Sequence, residues 1–317
     1  MRPRVSGAQL PLLTTLAVLA VFYTTASLRY SGFFSWTVFV NLLRDNSFLG
    51  LAATGMTFVV LAGGIDLSVG AMIGFTSILV ARSMEHHVHP LVAIALALAL
   101  GTGFGGGMGA VIRFTALPPF LVTLAGMFFA RGLGLVISLE TITIHHRLYD
   151  AITDFTAFPV AAILFLAVLV AALFLAHSTP FGRTVYAIGG NEPSARLMGL
   201  PVGRTKVWLY ALSGFCSALA GVTYTFYTSS GNATAGTMLE LDAIAAVVIG
   251  GTLLSGGVGY VFGTLIGVLI LGVIQTIITF EGTLSSWWTK IASGVLLLAF
   301  ILLQRFLLGR ERGERGK

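Results

Sequence analysis

A chain of 317 residues that is 56% hydrophobic and only 9% charged cannot clothe a water-soluble fold, which ordinarily carries about 25% charged residues. Soluble enzymes, disordered chains and collagen-like repeats are excluded, the last because the 39 glycines follow no triplet period. The net charge of +6 does not indicate nucleic acid: Lys and Arg are not interleaved with exposed aromatics, and a membrane protein keeps such an excess in its cytoplasmic loops.

In chain order the apolar segments cover residues 10–28, 47–62, 68–84, 91–112, 120–139, 159–176, 205–228, 243–254, 261–280 and 286–307. The first follows Arg2 and Arg4 and has the outline of a secretory leader. It is read as a retained span, because the run is long enough to cross and many further spans follow. The second, third and eighth are short. At about 20 residues per span, ten crossings use roughly 200 residues. That leaves short loops and makes residues 1–317 a single transmembrane domain. In lipid each segment must satisfy its own backbone polar groups, and the alternating pattern of a barrel is absent. The predicted fold is all-α: a polytopic membrane protein of about ten transmembrane helices, some interrupted.

Ten crossings put both termini on one side. With both inside, the inner loops and tails hold twelve cations: Arg2, Arg4, Arg113, Arg183, Arg196, Arg204, Lys206, Arg305, Arg310, Arg312, Arg315 and Lys317. Five remain outside (Arg29, Arg44, Arg82, Arg147 and Lys290), and Arg131 falls within a span. This bias predicts cytoplasmic termini. Eight acids then face outward: Asp45, Glu85, Glu140, Asp150, Asp154, Glu240, Asp242 and Glu281.

Two glycine blocks, 63–70 and 250–259, interrupt the apolar pattern and share a GG…LS string that hints at an internal repeat. In the first, Asp66 would be costly in lipid. It reads either as part of a joint beside a solute pathway or as a tight turn in which Asp66 or Ser68 caps the next helix. The string GTGFGG at 101–106 fits a dinucleotide fingerprint but lacks the strand–turn–helix context. Gly103/Gly107, Gly105/Gly109 and Gly263/Gly267 read as helix-packing faces. No P-loop string occurs, so any ATP must bind another subunit. The histidines at 86, 87 and 89 and at 145 and 146 lie in outer loops with no cysteine to help them, and no metal site is predicted. Cys216 has no intrachain disulfide partner.

The polar stretch 177–204 is the longest between spans and falls on the cytoplasmic side. Asn191 suits an N-cap, Glu192 and Pro193 a first turn, and Gly199 a C-terminal stop, which predicts a short helix over 192–198. Such a helix either packs against a cytoplasmic partner or forms a plain surface turn. Within the spans the polar groups are mainly neutral. The candidate pathway residues are Asn46, Thr57, Asp66, Thr123, Arg131 and Gln275, near aromatics such as Phe128, Phe129, Tyr224 and Tyr227. Neutral donors and acceptors beside rings suit a polyhydroxylated solute, although Thr and Ser also glue helices together. The spans hold no chain of acids or histidines, which counts against an ion-coupled secondary transporter, and no convergent constellation for an intramembrane enzyme.

Four strings carry a resemblance: NSFLGLAATGMTFVVLAGGIDLSVG (46–70), PPFLVTLAGMFFARGL (118–133), YAIGGNEPSARLMGL (186–200) and ELDAIAAVVIGGTLLSGGVGYVFGTLIG (240–267). Together they resemble the permease subunits of bacterial ribose/galactose-type ABC sugar importers. AGMFFARG and GTLSSWWTKI look most like the galactofuranose-type permease. The resemblance implies an inner-membrane subunit without cofactor or enzymatic activity, translocating a monosaccharide. Its implied partners are cytoplasmic ATP-binding subunits, an extracytoplasmic sugar-binding protein, a second permease copy or related chain, and lipid. It also implies that Asn191, Glu192, Ala195, Met198 and Gly199 form the segment that docks on the ATPase. This chain departs from the family at Glu192-Pro193-Ser194, where an alanine-rich sequence is common.

Overall fold

The computed structural model describes residues 10–153, 159–283, 285 and 287–315. Arg2, Arg4, Asp154, Ser286 and Lys317 lie outside the described residues. Among the described residues fourteen helices follow one another: α1 (Leu10–Arg29), α2 (Trp36–Asp45), α3 (Ser47–Leu61), α4 (Val69–Glu85), α5 (Pro90–Thr115), α6 (Pro119–Ile137), α7 (Arg147–Thr153), α8 (Val160–Ser178), α9 (Pro180–Gly190), α10 (Glu192–Leu197), α11 (Val202–Thr228), α12 (Leu239–Ile249), α13 (Val261–Glu281) and α14 (Trp287–Arg315). The fold is that of an all-α polytopic membrane protein. Among the described residues six helices (α1, α5, α6, α8, α11 and α13) are long and apolar enough to cross a bilayer by length and composition.

Each of the ten apolar segments read from the sequence corresponds to a helix, but α3, α4 and α12 have only 15, 17 and 11 residues. Their shortness goes with their position. Every residue of α3 except Phe48 is buried, as are eight of the eleven in α12. Interior helices can stop short of a full crossing because their ends are covered by protein rather than lipid. The long helices α5, α6 and α8 instead bare Leu91, Leu96, Phe120, Phe128, Val170 and Phe174 to the surroundings, the faces that meet lipid or other subunits.

Around this core α11 is the most thoroughly enclosed of the long helices, packed on α3, α4 and α5. Close approach to α5 is set by glycine. A side chain at Gly101, Gly105 or Gly109 would strike α11 near Gly214, Tyr210 or Val207. Likewise Gly263 and Gly267 of α13 lie against the Gly250 and Ala246 carbonyls at the end of α12. The Gly103/Gly107 pair does not pack: no atom lies within 4 Å of where either Cβ would stand. Both pairs have spacing four, but the α5 face that meets α11 carries 101, 105 and 109.

Three helices lie in stretches read as loops. α2 is too short to cross and ends in Arg44-Asp45, but Ser35 caps it, its Oγ accepting from the Val38 amide at 3.2 Å. α7 is a short helix of seven residues, and α9 begins with Pro180 under a Thr179 cap inside the 177–204 stretch. Two short strands, β1 (Ile142–Thr143) and β2 (Ser230–Gly231), pair antiparallel, with Ile142 opposite Gly231.

Candidate functional site

The sequence places a capped helix in the 177–204 stretch, and α10 occupies it. Asn191 is extended (φ −162°), and its Oδ1 accepts from the Ser194 amide at 2.8 Å. The helix ends at Leu197 rather than Met198. Gly199 follows in the left-handed region at φ +76°, donating to the Arg196 carbonyl at 3.1 Å. Two attachments fix α10 to the membrane helices. Ala195 is fully buried in an apolar cluster with Ile188 of α9 and Val202 of α11, against which Ala62 also packs. Glu192 takes two 2.8 Å bonds from Lys206 Nζ of α11 and a third from Arg196. Partial burial pushes the Glu192 carboxyl up. The hydrogen bonds and charges of Lys206 and Arg196 outweigh it and hold the carboxyl below its ordinary value.

With Ala195 and Glu192 turned inward, Leu197 and Met198 project, 89% and 68% exposed. Two large apolar side chains, Leu197 in the last turn of α10 and Met198 just after it, are thus held outward. Leu197 was not singled out in the sequence. Its outward direction follows from Ala195: two helical positions turn about 200°, so a buried 195 exposes 197.

Behind α10 the two glycine blocks meet. α3 and α12 end in the same turn. Gly63 donates to the Val60 carbonyl and Gly64 to Val59; Gly251 donates to Val248 and Thr252 to Val247. Gly63 and Gly251 hold the left-handed conformation at φ +77° and +94°. The geometric repeat therefore equates Gly63 with Gly251, one residue off the GG…LS string match. The blocks also touch: the Gly257 amide donates to the Leu61 carbonyl at 2.8 Å. The C-terminal Gly189–Gly190 of α9 lies against both, so that a side chain at Gly189 would strike Leu61 and Gly257. Tyr186 of α9 donates its hydroxyl to the Gly259 carbonyl at 2.9 Å. Three glycine-rich backbones thus converge directly behind the helix that carries Leu197.

The candidate pathway residues separate into two groups. Asn46 and Gln275 line one cleft of about 370 Å³ between α3, α13 and α14, together with Thr279, Trp287, Thr289 and the Asp242–Lys290 ion pair. The Asn46 amide nitrogen itself donates to the Leu42 carbonyl at 2.8 Å, and the other four candidates also direct their polar atoms to protein partners. Thr57 and Thr264 share a 2.6 Å hydroxyl contact between α3 and α13. Asp66 is fully buried, accepting from the Ser68 amide and hydroxyl and, at 2.7 Å, from Ser213 of α11. Asp66 thus stabilises a turn that is tied to α11, while α4 carries no side-chain cap from Asp66 or Ser68. Thr123 donates to the Ile65 carbonyl at 3.1 Å, and Arg131 Nη1 donates to the Ala233 and Ala235 carbonyls at 2.7 and 2.9 Å. No group of three or more metal-ligating side chains occurs among the described residues.

Residues 38–301 match the family described as branched-chain amino acid transport system / permease component. The chain is 50% identical to the inner membrane ABC transporter permease protein YjfF of Escherichia coli (strain K12), over 94% of this chain and 92% of that one. It is 46% identical to the ribose import permease protein RbsC of Bacillus subtilis (strain 168), over 84% of each chain. It is 36% identical to the fructose import permease protein FruG of Bifidobacterium longum (strain NCC 2705), over 84% of this chain and 82% of that one. No solved structure matches. A buried helical bundle with a firmly mounted helix presenting apolar residues, matched over most of its length by such relatives, belongs to the branched-chain amino acid transport system permease family and is the membrane subunit of an ABC transporter.

Proposed function

We propose that this chain is the permease subunit of an ATP-driven importer that carries a monosaccharide inward across the inner membrane, with galactofuranose or another pentose or hexose as cargo. The names of the relatives support a sugar, as does a pathway-side chemistry of neutral amides, hydroxyls and a tryptophan in the Asn46–Gln275 cleft. Its volume lies within the range of about 300–1,000 Å³ typical of small-molecule sites. Asn46 and Gln275 are assigned to sugar contact; Thr57, Asp66, Thr123 and Arg131 are assigned to holding the helices that frame it. In this reading the chain makes ten crossings with both termini cytoplasmic, as the twelve-to-five distribution of cations supports. It works with a second permease copy or related chain, cytoplasmic ATP-binding subunits and an extracytoplasmic sugar-binding protein.

The observation that carries the mechanism is the exposure of Leu197 and Met198 at the end of a helix otherwise locked to the bundle. The ATP-binding subunit grips these two side chains. Its closure moves α10, and Ala195 passes the displacement through Ile188 and Ala62 to the glycine junction where α3 and α12 end. Asn191, Glu192 and Gly199 hold the shape of the lever. The test is a Leu197→Asp/Met198→Asp double variant in the assembled transporter. The expected result is loss of uptake and of co-purification with the ATPase at an unchanged membrane level. Normal uptake by this variant overturns the docking assignment. Ionophore-sensitive transport by the purified chain alone would establish the ion-coupled alternative.

A further inference from the structure

Beside α10 lies a second cleft, of about 690 Å³, that the mechanism above does not use. Its walls carry Arg113 at the end of α5, Arg196 of α10, and Arg204 and Lys206 of the first turn of α11, against the single carboxylate of Glu192. Lys206 and Arg196 satisfy that carboxylate. Arg113 and Arg204 have no ion pair among the described residues. Arg113 lies along the start of α11, its Nε 2.9 Å from where a Cβ on Gly203 would stand. α6 and α11 both begin on this wall with no side-chain cap, and α5 ends on it, so the helix termini add partial charges of both signs and the side chains set the balance. A net excess of three cations thus faces one concavity.

The rim is of a different character. Leu117, between α5 and α6, lines the cleft and is 45% exposed, and Phe114, Phe120 and Leu121, next in sequence to lining residues Arg113 and Pro119 or one further on, are 76%, 48% and 51% exposed. Arg113 also lies over the Phe114 ring, 5.0 Å from its centroid. Cations in a recess beside bare hydrocarbon at the end of membrane helices match a molecule with an anionic head and apolar tails. Free phosphate would use the cations and leave the rim uncovered.

We propose that this cleft binds the phosphate headgroup of an anionic phospholipid, with its acyl chains along α5 and α6. The phosphate bridges Arg113 to Arg204 next to the Glu192–Lys206 pair, so membrane composition sets how firmly α10 is mounted. The proposal rests on the cytoplasmic placement of α10 argued above. Its test reads lipid binding by the isolated chain and shares no residue with the Leu197/Met198 experiment, so the two succeed or fail separately.

The delipidated full-length chain in neutral detergent is titrated with phosphatidylglycerol, phosphatidylcholine or millimolar inorganic phosphate, with native mass spectrometry and thermal unfolding as readouts. Phosphatidylglycerol should be retained about tenfold or more better than phosphatidylcholine, as two cations at a headgroup imply, and should raise the unfolding midpoint. Arg113→Gln/Arg204→Gln should erase the preference, and Arg113→Lys/Arg204→Lys should keep most of it. An unchanged preference in the glutamine variant overturns the proposal, as does full reproduction of the midpoint shift by inorganic phosphate. Loss of ATPase-subunit assembly by the glutamine variant in lipid-free detergent would assign the cleft to a protein partner and equally overturn it.

Discussion

Glu192 shows how one carboxylate fixes a short helix. Its three bonds tie α10 to itself through Arg196 and to α11 through Lys206, on a partly exposed surface where each pair contributes about 0.2–1 kcal/mol. Glu192→Gln should therefore speed hydrogen exchange in residues 192–199 by about fivefold, the equivalent of about 1 kcal/mol, without unfolding the bundle. Because the folded carboxyl lies below its ordinary 4.5, the contribution is fully present above that value and fades as pH falls through the depressed one. Native and glutamine chains should differ in exchange at neutral pH and converge in acid; a constant difference at all pH values would remove Glu192 from the account. At Gly199 the cost is conformational alone, since no atom lies within 4 Å of where a Cβ would stand and φ is +76°. Gly199→Val should loosen α10 by about 1–2 kcal/mol, whereas Gly199→Asn should be nearly neutral, as read by the same exchange rates. Asn191 and Gly199 were legible in the sequence because caps are local chemistry. Leu197 was not, because its exposure depends on Ala195 finding a pocket built by α9, α11 and the end of α3.

At the scale of helices, small residues decide spacing. Gly105→Leu should drive α5 off α11 at a cost of about 3 kcal/mol or more, with a large drop in thermal midpoint in detergent. Gly103→Leu, on a face where nothing packs, should stay within about 0.5 kcal/mol of the native chain. Equal losses in the two variants would refute the packing. Sequence spacing flagged 103/107 and 105/109 alike, because a four-residue repeat does not say which stripe meets a neighbour. Hydropathy has a limit of its own, which hid two of the unforeseen helices. α2 and α9 are amphipathic and short, and hydropathy over a span-length window averages them into the loops around them. The repeated turn after α3 and α12 was visible as a string, but its register required the hydrogen bonds. Gly257, at φ +77° and pressed on Gly189 and Gly190, joins those turns to α9. Gly257→Val should leave the ATPase bound but sever its hydrolysis from uptake, measured as ATP turnover without sugar accumulation.

For the whole molecule, the ten apolar segments and the class of fold were readable from composition, because a bilayer dictates helix and hydropathy together. The number of crossings was less so: four segments fall outside the six long apolar helices, α3, α4 and α12 by their length and α14 because its described apolar part is Trp287–Leu303, and only burial distinguishes an interior helix from a surface one. Orientation is open to a direct measurement. Cys216 is 1% exposed, so the native chain should be silent toward a membrane-impermeant thiol reagent. Leu197→Cys should react only from the cytoplasm and His86→Cys only from outside; labelling of both from one face would reverse or break the proposed topology.

The enclosure of α11 bears on how the chain is made. Synthesis supplies α3, α4 and α5 before their common companion exists, so the half-finished polypeptide offers the bilayer a trough floored by Gly101, Gly105 and Gly109. Lipid tails fit such a backbone-rich groove poorly. A ribosome stalled near residue 201 would thus leave an insertion intermediate that some insertase must shield, and premature termination there should mark the product for degradation rather than yield a partly working pore.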